Sequence, residues 1–132
     1  GQVVADLWAG SGTFGIECLS RGAERAIFVE RGREALACLR DNLANLGFED
    51  RATIITASLP GAVAGLEPVD IAFCDPPYAE DPWADLLPRL SAGLLVGHAE
   101  HEVELPAGWE ELRRRDYGRA RIVIARRVDA DT

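Results

Sequence analysis

Short apolar runs alternate along the chain with longer segments whose leucines recur at helical spacing. The longest of these segments, residues 33–46, has four leucines on one predicted helical face and is followed by Gly47, a residue typical of helix ends. The leucines of this face are Leu36, Leu39, Leu43 and Leu46. We therefore predict an amphipathic helix that packs this face against a sheet.

The same patterns predict five strands separated by helices, followed by a hairpin. The strands are predicted at 3–7, 26–30, 52–56, 69–74 and 94–100, the helices at 14–20, 33–46, 62–66 and 83–90, and the hairpin arms at 111–117 and 120–127. Strands that alternate with helices pair in parallel, which predicts an α/β fold whose open sheet has helices on both faces. Since no repeat or linker interrupts the pattern, we expect residues 1–132 to form a single domain.

Composition narrows the possible classes of protein. A hydrophobic fraction of 48% with 27% charged residues is that of a globular chain, and no apolar run approaches the roughly 18 residues that a membrane-spanning helix needs. The three cysteines lie far apart in the sequence and form no C-x-x-C pair, which argues against a disulfide scaffold or a zinc site. We expect a cytoplasmic protein without a membrane partner.

The first two candidate site features follow the first and second predicted strands. Ligands of parallel sheets bind beyond the carboxyl ends of the strands. The glycine-rich turn 9–13 follows the first strand, and its glycines allow close approach to a ligand. Glu30 ends the second strand 18 residues after Gly12, close to the offset at which an acidic residue binds ribose in dinucleotide folds. On their own, these features also fit an NAD site, or a tight structural turn with a surface glutamate.

The third feature is the tetrapeptide Asp75-Pro76-Pro77-Tyr78 at the end of the fourth predicted strand. It combines a carboxylate, a carbonyl and an aromatic ring on a rigid backbone. The Asp75 side chain and the Pro76 carbonyl can accept both N–H bonds of an exocyclic amine while Tyr78 stacks on the base. This chemistry favours a nucleobase substrate over NAD.

Together, the D-x-x-A-G-S-G-x-x-G run at 6–15, Glu30 and D-P-P-Y resemble the S-adenosylmethionine-dependent amino methyltransferases. The chain is most similar to the RsmD-type enzymes, which methylate the N2 amine of a guanine in 16S ribosomal RNA. The similarity extends to the segments 19–23, 41–43 and 117–118, and so covers nearly the whole chain. It implies a Rossmann-like class I methyltransferase fold, with a mostly parallel seven-stranded sheet and a C-terminal antiparallel hairpin.

The resemblance also implies roles for individual residues. The turn would hold the methionine part of the cofactor, Asp6 would bind its ammonium directly or through water, Glu30 would bind the ribose, and Ser58 would contact adenine. The implied cofactor-binding residues are Asp6, Ala9, Gly10, Ser11, Gly12, Glu30, Ser58 and Asp75, and the implied catalytic residues are Asp75, Pro76, Pro77 and Tyr78. No metal is required, and we interpret the two histidines, His98 and His101, as surface or structural residues.

The net charge of −8 argues against a free-standing nucleic-acid binder, because such proteins are usually basic. The charge is uneven, however: residues 109–127 contain seven arginines and three acidic residues, a net charge of +4. We predict that this hairpin contacts RNA, although solvated strand faces would give the same pattern. The predicted RNA-binding residues are Arg113, Arg114, Arg115, Arg119 and Arg121. The expected partner is ribosomal RNA or an assembly intermediate of the small subunit, bound by a monomer.

Some features depart from the family pattern. The chain contains no Met, and the basic segment that precedes the first strand in the family is absent, so we expect an N-terminal segment to be missing. Arg119-Ala120 stands where the family has a small polar pair, and the stretch 98–102 is unusually polar for a strand. Two alternatives stay open: an adenine-N6 methyltransferase acting on DNA or RNA, for which no target-recognition insert is evident, and a non-catalytic cofactor-binding module, against which Asp75 and Tyr78 argue.

Overall fold

A computed structural model describes residues 1–77 and 79–128. Within these residues, seven strands form a sheet in the order β3-β2-β1-β4-β5-β7-β6. The strands are β1 (Val3–Leu7), β2 (Arg25–Glu30), β3 (Ala52–Thr56), β4 (Val69–Cys74), β5 (Ala92–Ala99), β6 (Trp109–Tyr117) and β7 (Ala120–Arg127). Strands β1 to β5 pair in parallel, whereas β7 pairs antiparallel with both β5 and β6. The predicted fold class is confirmed.

Helical segments connect the parallel strands. The α-helices are α1 (Thr13–Ser20), α2 (Arg33–Leu46) and α3 (Trp83–Leu86), and shorter 3-10 helices span Glu49–Arg51, Gly61–Gly65 and Leu87–Arg89. No helix of the described residues is long and apolar enough to cross a membrane.

The side chains of the central strands alternate between two hydrophobic clusters, one on each face of the sheet. Val4 and Phe28 pack with Leu39 of α2 on one face. Leu7 and its neighbours pack with Trp83 of α3 on the other. Successive residues of a strand point to opposite faces, so both faces of the sheet are covered. This arrangement leaves the carboxyl ends of β1, β2 and β4 together at one edge.

Two predictions about helices are wrong in detail. The segment predicted as a helix at 62–66 is a 3-10 helix, and the one predicted at 83–90 is α-helical for four residues before it tightens to 3-10 geometry. Pro88 explains the second change, because it lacks the N–H that an α-helix interior needs.

Leu46 does not belong to the buried face of α2 as predicted, since it is 54% exposed. Gly47 ends the helix in the left-handed conformation, with φ of 74°, and turns the chain back. Phe48 then packs against the cluster that contains Leu39 and Leu43. The aromatic ring after the turn therefore covers the core at the helix end, as is common where glycine terminates a helix.

Candidate active site

The glycine-rich turn between β1 and α1 adopts left-handed backbone conformations. Gly10 has φ of 58° and Gly12 has φ of 88°. At this φ a side chain on Gly12 would be strained, and its Cβ atom would collide with Cδ1 of Leu39, so glycine suits the packing of the turn on α2. Among the described residues, no atom lies within 4 Å of the position that a Cβ atom on Gly10 would take. The turn is therefore packed tightly on one side and open at Gly10.

Glu30 ties this turn to the end of β2. Its Oε1 accepts a hydrogen bond from the backbone N–H of Gly10 at 2.8 Å, and its Oε2 accepts from the N–H groups of Arg31 at 3.0 Å and Gly32 at 2.8 Å. A carboxylate offers about four acceptor positions, so three backbone bonds leave capacity for a ligand hydroxyl. Glu30 both fixes the turn and can bind a ligand.

Asp6 lies beneath the same turn and is only 2% exposed. Its Oδ2 accepts a hydrogen bond of 3.0 Å from the N–H of Gly15 in the first turn of α1. Burial raises the pKa of this carboxyl to about 7; the Gly15 hydrogen bond opposes the shift, and the charges of Asp75 and Glu30 add to it. The structure therefore shows Asp6 supporting the start of α1, and its predicted contact with a cofactor ammonium stays a prediction.

Asp75 and the prolines follow β4, directly beside the turn. The parallel register pairs Leu7 of β1 with Cys74 of β4, so the two strands end side by side. A cleft of about 290 Å³ opens there, and its walls include Trp8, Glu30, Ala57, Leu59, Asp75 and Pro77. The structure thus brings together the acidic residues predicted from the second and fourth strands.

Ser58 and Tyr78 are two further predicted site residues. Ser58 is exposed between Ala57 and Leu59 of the cleft wall, and its Oγ lies 3.4 Å from Nη1 of Arg31. Tyr78 lies outside the described residues. The adenine contact of Ser58 and the stacking role of Tyr78 both stay predictions.

His98 is a site residue that the sequence analysis did not place there. The register pairs Cys74 of β4 with Gly97 of β5, so the next residues, Asp75 and His98, are neighbours. The Nδ1 atom of His98 lies 2.8 Å from Oδ1 of Asp75. Both residues line a second cavity of about 90 Å³ that shares Asp75 and Pro77 with the cleft. The position of His98 near the carboxyl end of a neighbouring strand was the sequence signal that could have identified it.

The arginines predicted to bind RNA fall into two groups. Arg114 donates to the backbone carbonyl of Val103 at 2.9 Å and forms an ion pair with Glu111, and Arg121 forms an ion pair with Asp116. The other three, Arg113, Arg115 and Arg119, are exposed. These three side chains are accessible to RNA, whereas Arg114 has a structural role in holding the segment before β6.

The described residues contain no group of three or more His, Cys, Asp or Glu side chains arranged to hold a metal ion. Glu30 and Asp75 line the cleft from different strand ends, and Glu30, like the buried Asp6, accepts hydrogen bonds from backbone N–H groups. This geometry suits an organic ligand that offers hydrogen-bond donors.

The chain is similar to a family of proteins and to several solved structures. Residues 1–126 match the family model described as conserved hypothetical protein 95. The chain is 33% identical over 133 residues to "Putative rRNA methyltransferase YlbH" of Bacillus subtilis (strain 168), covering 90% of this chain and 72% of that protein. The solved structure of a conserved hypothetical protein from Streptococcus pyogenes is 31% identical in sequence to this chain, with a TM-score of 0.84. The match covers 96% of this chain and 86% of the Streptococcus pyogenes chain. "Putative methyltransferase yhhF" from Escherichia coli is 27% identical with a TM-score of 0.86, covering 96% and 75%.

Proposed function

Because the chain belongs to the RsmD family, which the conserved hypothetical protein 95 model describes, we propose that it is an S-adenosylmethionine-dependent methyltransferase acting on ribosomal RNA. The proposed acceptor is the exocyclic N2 amine of a guanine in 16S ribosomal RNA. One observation carries the proposal: Glu30 and Asp75, from different strands, line the same cleft beside the glycine-rich turn. Ligands of open α/β sheets bind at this position.

The residues of the cleft fit the proposed cofactor. The open space at Gly10 leaves room beside the turn for the methionine part, and the remaining acceptor capacity of Glu30 suits a ribose hydroxyl. Ala9, Ser11 and Gly12 would complete the turn around the ligand, with Ser58 near adenine. When bound, S-adenosylmethionine supplies a methyl group attached to a positively charged sulfur.

Asp75 and Pro76 would prepare the substrate amine. The lone pair of an aromatic amine is delocalised into the ring, which makes the nitrogen a poor nucleophile. Two acceptors that hold both N–H groups favour a pyramidal nitrogen whose lone pair points at the methyl group. Asp75 can also accept the proton that the nitrogen loses after methylation, and Pro77 would keep the turn rigid while Tyr78 stacks on the base.

The nature of the substrate is supported by the relatives and by charge. The Bacillus subtilis relative is named a "Putative rRNA methyltransferase", and the motifs of this chain resemble those of guanine-N2 methyltransferases of the small subunit. The exposed arginines Arg113, Arg115 and Arg119 offer cations for phosphate groups. We place the reaction in the cytoplasm, where the protein would meet ribosomal RNA or an assembly intermediate of the small subunit.

The direct test is methylation of 16S ribosomal RNA transcribed in vitro, with radiolabelled S-adenosylmethionine and no added metal, followed by nucleoside analysis. We expect label in N2-methylguanosine. Label in N6-methyladenosine would move the protein to the adenine-specific class. Calorimetry that detected NAD binding and no S-adenosyl ligand would overturn the proposal.

Substitution of Asp75 separates catalysis from cofactor binding. Asp75→Ala should abolish methyl transfer while the Kd for S-adenosylmethionine changes less than threefold, because Asp75 acts mainly on the amine. Asp85→Ala, which removes an exposed carboxylate paired with Arg89, is the matched control and should retain activity. Equal loss of transfer and affinity in Asp75→Ala would assign Asp75 to the cofactor site instead.

A further inference from the structure

The imidazole of His98 contacts Asp75, yet His98 has no role in the proposed reaction. Its Nδ1 lies 2.8 Å from Oδ1 of Asp75, and both side chains are partly exposed, at 37% for His98 and 47% for Asp75. An ionised carboxylate only accepts hydrogen bonds, so Nδ1 carries the hydrogen and donates it. The contact therefore engages one oxygen of Asp75 and leaves Oδ2 for another donor.

The two partners differ in how firmly their backbones are held. Asp75 lies just beyond the end of β4, where Pro76 restricts its backbone but not the torsion angles of its side chain. His98 lies within β5, one residue past the last pair with β4, and is paired with Ile122 in the antiparallel register with β7. A side chain on a strand residue that is paired in the sheet is a more rigid support than one on a residue beyond a strand end.

We infer that His98 is a positioning residue, which holds the Asp75 carboxylate in the orientation that presents Oδ2 to the substrate amine. This inference rests on the proposed function, because it assigns Asp75 to the amine. An acceptor that is already oriented avoids the cost of ordering it during the reaction. His101, the other histidine, does not share this task, since its Nδ1 lies 3.0 Å from the carbonyl oxygen of Glu102 and its Nε2 lies 3.7 Å from Asp81.

Steady-state kinetics with 16S ribosomal RNA tests the inference. His98→Ala should lower kcat about tenfold to a hundredfold, the range expected when a hydrogen bond to a charged group is removed. The Kd for S-adenosylmethionine should not change. His98→Asn should recover most of the activity, because the asparagine amide can donate from nearly the same position as Nδ1.

The matched control is His101→Ala, which should keep kcat within twofold of the wild-type value. Wild-type kcat in His98→Ala would overturn the inference. So would an Asn variant that is no more active than the Ala variant, since a role in filling space alone is not restored by a donor.

A measurement without turnover separates this inference from the proposed function. In ¹⁵N NMR spectra of the two histidines, assigned with His101→Asn, His98 should be the Nδ1-protonated tautomer, and Asp75→Ala should shift it toward the Nε2-protonated form. An Nε2-protonated His98 in the wild-type protein overturns the inference whatever the activity. The expected tautomer in a protein that transfers no methyl group would uphold the contact and overturn the proposed reaction.

Discussion

Asp6 is a buried carboxyl whose charge changes in the neutral pH range, because burial raises its pKa to about 7. In the unfolded chain its pKa is near 3.9, so the folded protein binds the proton more tightly between about pH 4 and pH 7. The free energy of unfolding therefore falls as pH rises through this window, and the whole of this loss is present above pH 7. Each pKa unit of difference corresponds to about 1.4 kcal/mol.

Asp6→Asn should remove this dependence, since the amide oxygen can still accept the Gly15 N–H without a buried charge. Between pH 5 and pH 7, we expect the free energy of unfolding of the variant, measured in urea, to rise relative to that of the wild-type protein by about 1 kcal/mol per pH unit. Asp41→Asn, at an exposed position of α2, is the control and should show no such trend. A constant difference between Asp6→Asn and wild type across this range would mean that Asp6 is ionised throughout.

At the scale of single residues, sequence motifs identified the chemical groups of the site better than their contacts. Glu30 and Asp75 were predicted and share the cleft, because strand ends of a parallel sheet converge. The three backbone bonds to Glu30 depend on the left-handed turn conformations, which the residue types permit but do not specify. The contact between Asp75 and His98 depends on the register of β4 and β5, which alternation alone does not define.

In the first turn of α1, the position of the helix depends on a glycine whose role is steric. Gly15 lies over the ring of Phe28, and a Cβ atom there would come within 2.7 Å of the ring carbon Cζ. Phe28 is completely buried and cannot move aside without disturbing the core. Replacing a helical glycine by alanine normally raises the free energy of unfolding by about 1 kcal/mol, whereas overpacking a core lowers it by about 1–3 kcal/mol.

We expect Gly15→Ala to lose up to about 2 kcal/mol of unfolding free energy, because the overpacking exceeds the gain in helix propensity. Gly61→Ala is the matched control, because no atom of the described residues lies within 4 Å of its added Cβ atom. It should be neutral or stabilise the protein by up to about 1 kcal/mol. Equal stability of the two variants in chemical denaturation would show that α1 shifts to accommodate the methyl group.

The elements that the sequence predicted well are those whose pattern is local. The bounds of α2 and β3 agree with the prediction, since leucine spacing and β-branched residues define them directly. The short helices after β3 and β4 were predicted less well, because segments of three to five residues carry too little periodicity to separate 3-10 from α-helical geometry. Leu46 shows a further limit, since helical spacing does not reveal where a helix passes the edge of the core.

The whole molecule carries a net charge of −8, and the proposed substrate is a polyanion. Binding would therefore depend on where the arginines lie and not on the total charge. Arg113 and Arg115 lie two residues apart on β6, so both project from the same face of this edge strand, and Arg119 follows in the hairpin turn. Arg114, between them, faces the other way and contacts the Val103 carbonyl. One face of β6 and the adjoining turn thus carry three exposed cations.

Neutralising this face should weaken RNA binding and its dependence on salt. For the triple variant Arg113→Gln, Arg115→Gln and Arg119→Gln, we expect the slope of log K against log salt concentration to fall by about 0.7–0.9 for each phosphate that the protein no longer neutralises, or about 2–3 in total. The matched control is the triple variant Arg21→Gln, Arg33→Gln and Arg40→Gln, which changes exposed arginines on and beside α1 and α2 and gives the same net charge. Because both variants alter total charge equally, only a local interaction with phosphate makes their slopes differ. Identical slopes for the two variants would place the RNA-binding surface away from the hairpin.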